Sequence, residues 1–175
     1  MTQIFIPKYE GVEKGGVFTF SQYRKGDQVD EWAWWNLVPT VALDAMNDDF
    51  FNSGTSYANF YVGLFSNAYT PQADDLYSHI GTRFTEITAE YSESTRPAWT
   101  SNGSSASGLV SNSSSRATFT FTGSATINGG LLVTNNVKGD NSSGLLVAAT
   151  AASPSKSASN GDELLVKYEF QASST

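Results

Sequence analysis

Three glutamates within one alternating stretch could support acid–base chemistry. Glycosidases use two carboxylates, one as the acid and the other as a base or nucleophile. Residues 83–91 alternate with a period of two, which predicts a strand with Glu86 and Glu90 on the same side. Glu93 lies past the end of this predicted strand. We interpret Glu86 and Glu90 as a solvent-facing acidic row rather than as a catalytic pair.

The single histidine is the second place where the residue types could support catalysis. Ser78 and His79 follow Asp74 and Asp75, so a nucleophile, a base and an orienting acid occur together. However, no G-x-S-x-G motif surrounds Ser78. Adjacent side chains also rarely make the hydrogen bond that such a pair requires. We therefore interpret His79 as a turn residue.

Acidic clusters raise the question of a metal site. Asp44, Asp48 and Asp49 form one cluster, and Asp140 with Asn141 forms another, but neither has EF-hand spacing. With no cysteine and one histidine, the chain lacks thiolate nucleophiles and the ligands of most zinc sites. Glycine-rich phosphate-binding motifs are also missing. We predict no catalytic residue, no metal and no cofactor, and thus a protein that is not an enzyme.

The composition and charge of the chain argue against some classes of binding partner. The chain has 175 residues and a formal net charge of −7, which opposes binding along nucleic acid. No apolar run is long enough to suggest a membrane span, and the start lacks the features of a secretory signal. We therefore expect a soluble chain of one domain that binds neither nucleic acid nor membrane.

Small polar residues and an uneven charge distribution characterise the chain. Ser, Thr, Gly and Asn together are its most abundant group, and 13% of the chain is aromatic. Residues 97–175 have no net charge, and only four charged residues occur between Pro97 and Gly161. So few charges suggest that part of this surface lies against another molecule, although a sheet face covered by Ser and Thr has the same composition.

The elements indicate an all-β protein. Residues 116–122 alternate Phe119 and Phe121 with threonines, a strong strand signal that predicts a buried Phe side. Turn residues separate about eight short strands, which favours an antiparallel β-sandwich of jelly-roll type. We predict an extended N-terminal arm over 1–37 and a sandwich domain over 38–175, with one helix at about 39–51 and strands from about 57.

Aromatic residues are concentrated in the predicted arm. Eight of the first 36 residues are aromatic, too much apolar area to remain in water. The arm is therefore expected to pack on its own domain or on a neighbouring chain. We predict that Trp35 points inward and that the partner interface consists of Phe5, Phe18, Phe20, Trp32 and Trp34.

Four segments carry a resemblance to a known group of proteins. They are FYVGLFSNAYTPQADD (60–75), TEITAEYSESTRPAWT (85–100), FTFTGSATINGGLLVT (119–134) and GDELLVKYEF (161–170). Through these segments and their order, residues 36–171 resemble small virion proteins of tailed bacteriophages. The genes of these proteins lie near that of the major capsid protein. The stretch from Tyr91 to Trp99 is the most distinctive.

The resemblance implies a structural function without catalytic residues. Members with an assigned function are usually capsid decoration, or cement, proteins with β-sandwich or jelly-roll folds. We therefore expect a protein on the outer surface of the capsid, bound to the major capsid protein and to neighbouring copies of itself as a homo-oligomer. The alternatives are a tail, collar or fibre-associated structural protein, or a carbohydrate-binding adhesin domain that uses exposed Trp and Tyr.

Overall fold

A computed structural model describes residues 12–103 and 108–174, with side chains over 15–103 and 108–172. Strands dominate these ranges, and one α-helix and one 3₁₀ turn, Tyr77–His79, accompany them. The elements are β1 (Val12–Arg24), β2 (Asp27–Trp35), α1 (Thr40–Asn52), β3 (Phe60–Phe65), β4 (Ala98–Trp99), β5 (Leu109–Ser111), β6 (Ala117–Thr120), β7 (Ala125–Val133), β8 (Leu146–Ala158) and β9 (Asp162–Ser174).

Two antiparallel sheets pack face to face. The first has the order β2-β1-β9-β5, with β6 pairing a different part of β9. The second has the order β4-β3-β7-β8. The predicted all-β antiparallel sandwich with one helix is thereby confirmed, and its jelly-roll connectivity stays a prediction.

The first two strands correct the predicted domain boundary. β1 pairs with β9 along its whole length, from Val12 opposite Ser174 to Arg24 opposite Asp162. The predicted arm is therefore wrong for residues 12–37, which include two strands of the first sheet. Gly15 and Gly16 lie within β1, and a Cβ at Gly16 would stand 2.7 Å from the Tyr168 hydroxyl. Residues 1–11, including Phe5, lie outside the described residues.

The main core lies between the sheets and follows strand periodicity. Phe119 and Phe121 are buried, as predicted, whereas Thr120 between them is only half-buried. From the first sheet, Phe18 and Phe20 enter the core, and Val62 and Leu64 enter it from the second. Because side chains alternate between the two faces of a strand, both sheets present one apolar face to this interior.

A second, smaller core covers the outer face of the second sheet. Phe65 and Leu131 point to that face and are covered by Tyr77, Ile80 and Phe84. The covering residues belong to the segment between β3 and β4, which includes the turn predicted at His79. The second sheet is therefore buried on both sides.

The helix begins and ends close to the predicted limits but extends past the core. Pro39 precedes its first residue, and Ser53 ends it in the left-handed conformation with a φ of 53°. Ala42 is buried, and Met46 packs against the core. Phe50 lies at helical spacing from Ala42 and Met46, so the sequence predicts it on the same apolar stripe, but it is 81% exposed. The last turn of the helix thus lies beyond the sandwich.

Candidate functional site

The predicted acidic row does not exist, because Glu86 is buried in an ion pair. Its two carboxylate oxygens accept hydrogen bonds of 2.7 Å from Nε and Nη2 of Arg96, and its side chain is 2% exposed. Residues 83–91 make isolated bridges rather than the predicted strand. Glu86 and Glu90 therefore differ in surroundings, and the solvent-facing interpretation is wrong for Glu86.

Arg96 connects three segments of the fold through all of its donors. Besides Glu86, its guanidinium donates to the Tyr77 hydroxyl at 2.8 Å and to the carbonyl oxygens of Asn135 at 2.8 Å and Asp140 at 3.0 Å. Charge-assisted, bidentate contacts of this kind fix geometry strongly. The cluster of Arg96 and Glu86 thus holds the 135–140 loop against the sandwich, with the Glu86 carboxylate removed from solvent.

The Glu93 carboxylate also accepts hydrogen bonds from within the fold. Both of its carboxylate oxygens lie 3.1 Å from the backbone nitrogen of Thr120, which donates to them. The carboxylate therefore binds the backbone at the end of β6, at one end of the sandwich. Glu93 and Glu86 thus hold different parts of the backbone.

The histidine lies in a turn, as predicted. Nδ1 of His79 accepts a hydrogen bond of 3.0 Å from the backbone N–H of Leu76. The adjacent Asp75 is buried, where it accepts hydrogen bonds from the Tyr69 hydroxyl at 2.8 Å and from Arg83 at 2.9 Å. Asp75 therefore anchors the segment that covers the second sheet.

The two acidic clusters considered for metal binding lie in different parts of the fold. Asp140 accepts hydrogen bonds from Ser142 at 2.6 Å and from the Tyr77 hydroxyl at 3.1 Å, which shape its own loop. Asp44, Asp48 and Asp49 are exposed on the helix. Over 12–103 and 108–174, no group of three or more His, Asp or Glu side chains could hold a metal ion.

The tryptophans face the opposite way from the prediction. Trp32 is buried and stacks on Phe20 with ring centroids 5.7 Å apart, whereas Trp35 is 46% exposed. The cause is register: Phe20 lies opposite Trp32 and Phe18 lies opposite Trp34 across the β1–β2 pair. Residues directly opposite each other project to the same face, so the tryptophans follow the phenylalanines inward.

This orientation also corrects the predicted partner interface. Phe18, Phe20 and Trp32 are buried within their own domain and present no surface to a neighbour. Trp34 is half-buried against the same core. Their aromatic area contributes to the interior of the sandwich.

An exposed aromatic patch lies instead at the end of the helix. Phe50 and Phe51 are 81% and 75% exposed, and their rings meet edge to face with centroids 4.8 Å apart. Tyr57, in the segment that follows, is also exposed. We call Phe50, Phe51 and Tyr57 the helix-tip patch. The adjacent phenylalanines were its signal in the sequence, since a helix cannot turn both toward one narrow apolar stripe.

An apolar cavity opens beside this patch. It has a volume of about 200 Å³ and lies between the helix and the end of the sandwich. Trp99 lines it and is held by a hydrogen bond of 3.0 Å from its Nε1–H to the Tyr168 carbonyl oxygen. We call it the end cavity; its other main apolar walls come from Met46, Phe60, Leu132, Val147 and Phe170.

Fold and site together define an all-β sandwich domain with an exposed aromatic helix tip beside an apolar cavity. No protein-family model matches the chain, and no curated protein matches it. Over the described ranges, none of the helical segments has the length and apolar character needed to cross a bilayer.

Proposed function

We propose that this chain is a structural protein of a bacteriophage virion, a capsid decoration protein that binds and stabilises the lattice of major capsid subunits on the outer surface of the head. The resemblance of residues 36–171 to small virion proteins leads to this proposal. The observation that carries it is the helix-tip patch, in which two adjacent phenylalanines project almost fully into solvent.

The chemistry of this patch suits a protein partner. Aromatic side chains are frequent among the residues that dominate binding at protein interfaces. Phe50 and Phe51 contribute large apolar areas with few rotatable bonds, so little conformational entropy is lost when a partner covers them. An apolar recess between capsid subunits is the partner surface that fits them.

The location of the remaining side chains supports a structural function. Glu86, Glu93 and Asp75 are each engaged by neighbouring parts of the fold. The adhesin alternative relies on exposed Trp and Tyr, and among the described residues of these two types only Trp35 and Tyr57 are exposed. A tail, collar or fibre-associated protein would be distinguished by its copy number in purified virions, because a head lattice holds hundreds of copies and a tail holds far fewer.

The test is binding of the purified chain to heads of the encoding phage from which the native protein has been stripped. The double variant Phe50→Ser/Phe51→Ser should sediment with heads at least about tenfold more weakly, as expected for the loss of two aromatic anchors. Equal binding by this variant and the native chain would contradict the proposal.

A matched control separates specific docking from a general loss of apolar surface. Val29 and Val137 are exposed apolar residues outside the patch. The Val29→Ser/Val137→Ser variant should bind heads as the native chain does. Both double variants should unfold at the temperature of the native chain, since none of the four side chains is buried.

A further inference from the structure

We propose that the end cavity binds a basic segment of a major capsid subunit. One apolar side chain of that segment enters the cavity, and Lys or Arg side chains beside it lie against Asp48 and Asp49. This inference deepens the proposed function and rests on it only for the source of the segment. The apolar floor of the cavity and the carboxylates at its rim carry it.

The end cavity is an open cleft with an apolar floor and a polar rim. The buried side chains of Leu132 and Val147 belong to its floor, and the space has a volume of about 200 Å³. The exposed residues Asp49, Thr55 and Tyr57 line it as well and form the rim. A side chain that enters the cleft therefore contacts carbon at its end, while its neighbours lie near a carboxylate.

A polar recess adjoins the cavity at the end of the helix. Cavity and recess share Ala45, Thr55 and Tyr57, and the recess adds Asp48 and Asn52 to its lining. The two together form one groove that is apolar in one part and acidic in the other. A ligand that fills both parts needs an apolar group and a positive charge close to each other.

The two carboxylates are not placed to stabilise the helix. Asp48 and Asp49 lie near its C-terminal end, which is the negative end of the helix dipole, and its last turn contains no basic residue. Among the side chains that the structure describes, neither aspartate belongs to an ion pair. A cation bound here would interact favourably with both the carboxylates and the helix end.

The charge of the surrounding chain favours a basic partner over a second copy. No Lys or Arg occurs from Gly26 to Thr82, and Asp44 adds an exposed carboxylate one helical turn before Asp48. Contact between two copies through this face would place acidic helix ends against each other, which is unfavourable. A neutral partner would remove the carboxylates from water without supplying a counter-charge.

Three acetylated and amidated pentapeptides test the inference on the native chain. In Arg-Gly-Phe-Gly-Arg, the ring and both arginines lie on one side of an extended chain, with successive side chains about 7 Å apart. Gln-Gly-Phe-Gly-Gln lacks the charges, and Arg-Gly-Ala-Gly-Arg lacks the ring. Chemical shifts of the Trp99 indole, which lines the cavity, report binding.

The peptide with both features should bind at least about threefold more tightly than either of the others, as expected for exposed ion pairs and one covered ring. Its advantage over the glutamine peptide should shrink when the salt concentration rises from about 0.1 M to about 0.5 M. Equal affinities for the arginine and glutamine peptides would overturn the inference. Equal affinities for the Phe and Ala peptides, or no measurable binding of the first peptide, would also overturn it.

Paired substitutions locate the charge that is recognised. Asp48→Asn/Asp49→Asn should remove the preference for arginine over glutamine without lowering the unfolding temperature, because both side chains are exposed at the negative end of the helix. The control Asp27→Asn/Glu163→Gln removes the same charge at the opposite end of β9 from Phe170, next to the β1–β2 turn, and should keep the preference. Loss of the preference in both variants would indicate attraction to net charge alone and would contradict the proposed site.

Head binding separates this inference from the proposed function. If the peptides fail and native chain still binds heads through Phe50 and Phe51, the inference is wrong and the proposed function stands. Binding of the arginine peptide without any binding to heads would contradict the proposed function and the capsid subunit as the source of the segment. If both hold, Asp48→Asn/Asp49→Asn should also bind heads at least about threefold more weakly.

Discussion

Arg96 and Glu86 form a bidentate ion pair with two 2.7 Å hydrogen bonds, and their side chains are almost completely removed from solvent. Ten residues separate them in the chain. Arg96 lies within the stretch from Tyr91 to Trp99, the most distinctive of the segments on which the proposed resemblance rests. Its hydrogen bonds to the 135–140 loop give that stretch a structural role in the fold.

Removing one partner of this pair should destabilise the fold strongly. Arg96→Ala leaves the Glu86 carboxylate buried without its counter-charge, and we expect a loss of about 3–5 kcal/mol in the free energy of unfolding. Urea titration at pH 7 measures it. Lys167→Ala, which breaks the partly exposed pair of Lys167 with Glu169, should cost less than about 1 kcal/mol. Equal losses would show that burial does not determine the strength of these pairs.

Phe119 tests the main core. Its ring is fully buried and meets Tyr91 edge to face at 5.0 Å. Phe119→Ala should lower the free energy of unfolding by about 3–5 kcal/mol, because it leaves a cavity in a packed interior. Thr120→Ala, on the opposite face of the same strand, should cost under about 1 kcal/mol. Chemical denaturation of both variants decides this, and similar losses would mean that the strand is buried equally on both faces.

The tryptophans of β2 should differ in the same way. Trp32→Ala removes a buried ring that stacks on Phe20, and a loss of about 3–5 kcal/mol is expected. Trp35→Ala removes a half-exposed ring, so its cost should be about 1 kcal/mol or less. Thermal unfolding monitored by circular dichroism ranks the two. A more damaging Trp35 substitution would contradict the observed register of β1 and β2.

Asp162 should make stability depend on acidity. Hydrogen bonds from Arg24, with further donors from Gln22 and the Ser159 backbone, lower the pKa of this buried carboxyl from 3.8 to about 2. Because the folded-state pKa is depressed, the stabilisation is complete above about pH 4 and is lost as the pH falls toward 2. Its size is on the order of 2 kcal/mol.

The variant Asp162→Asn measures this contribution. It should unfold more readily than the native chain at pH 7, and the difference should shrink between pH 4 and pH 2 in urea titrations. Glu163→Gln, at the exposed neighbouring position, is the matched control and should change stability at pH 7 by less than about 0.5 kcal/mol. A gap between native chain and Asp162→Asn that is constant over this pH range would exclude the linkage.

Truncation tests the corrected domain boundary. Deleting residues 1–35 removes β1 and β2 together with Phe18, Phe20 and Trp32, so the remaining chain should not fold. Loss of the near-ultraviolet circular dichroism signal and of cooperative unfolding would show this. A shorter deletion of residues 1–10 keeps both strands and should retain cooperative unfolding. If the longer truncation unfolds cooperatively, these strands are dispensable.

Local sequence signals were sufficient for the fold class and for several elements. Alternation in residues 116–122 predicted which side of β6 is buried, and the helix predicted at about 39–51 is found at Thr40–Asn52. These predictions succeeded because they depend on residues within a few positions of one another. The periods of strands and helices are local properties of the backbone.

Only the tertiary structure decided the pairing of β1, the burial of Glu86 and the exposure of Phe50. The membership of β1 in the sheet depends on β9, at the opposite end of the sequence, and the burial of Glu86 depends on Arg96 and the 135–140 loop. Helix periodicity predicted that Phe50 lies on the apolar side of the helix. It did not predict whether another element of the fold extends far enough to cover the ring. Pairing and coverage are set by distant segments brought together by burial of the shared core, and no local pattern records which segments meet.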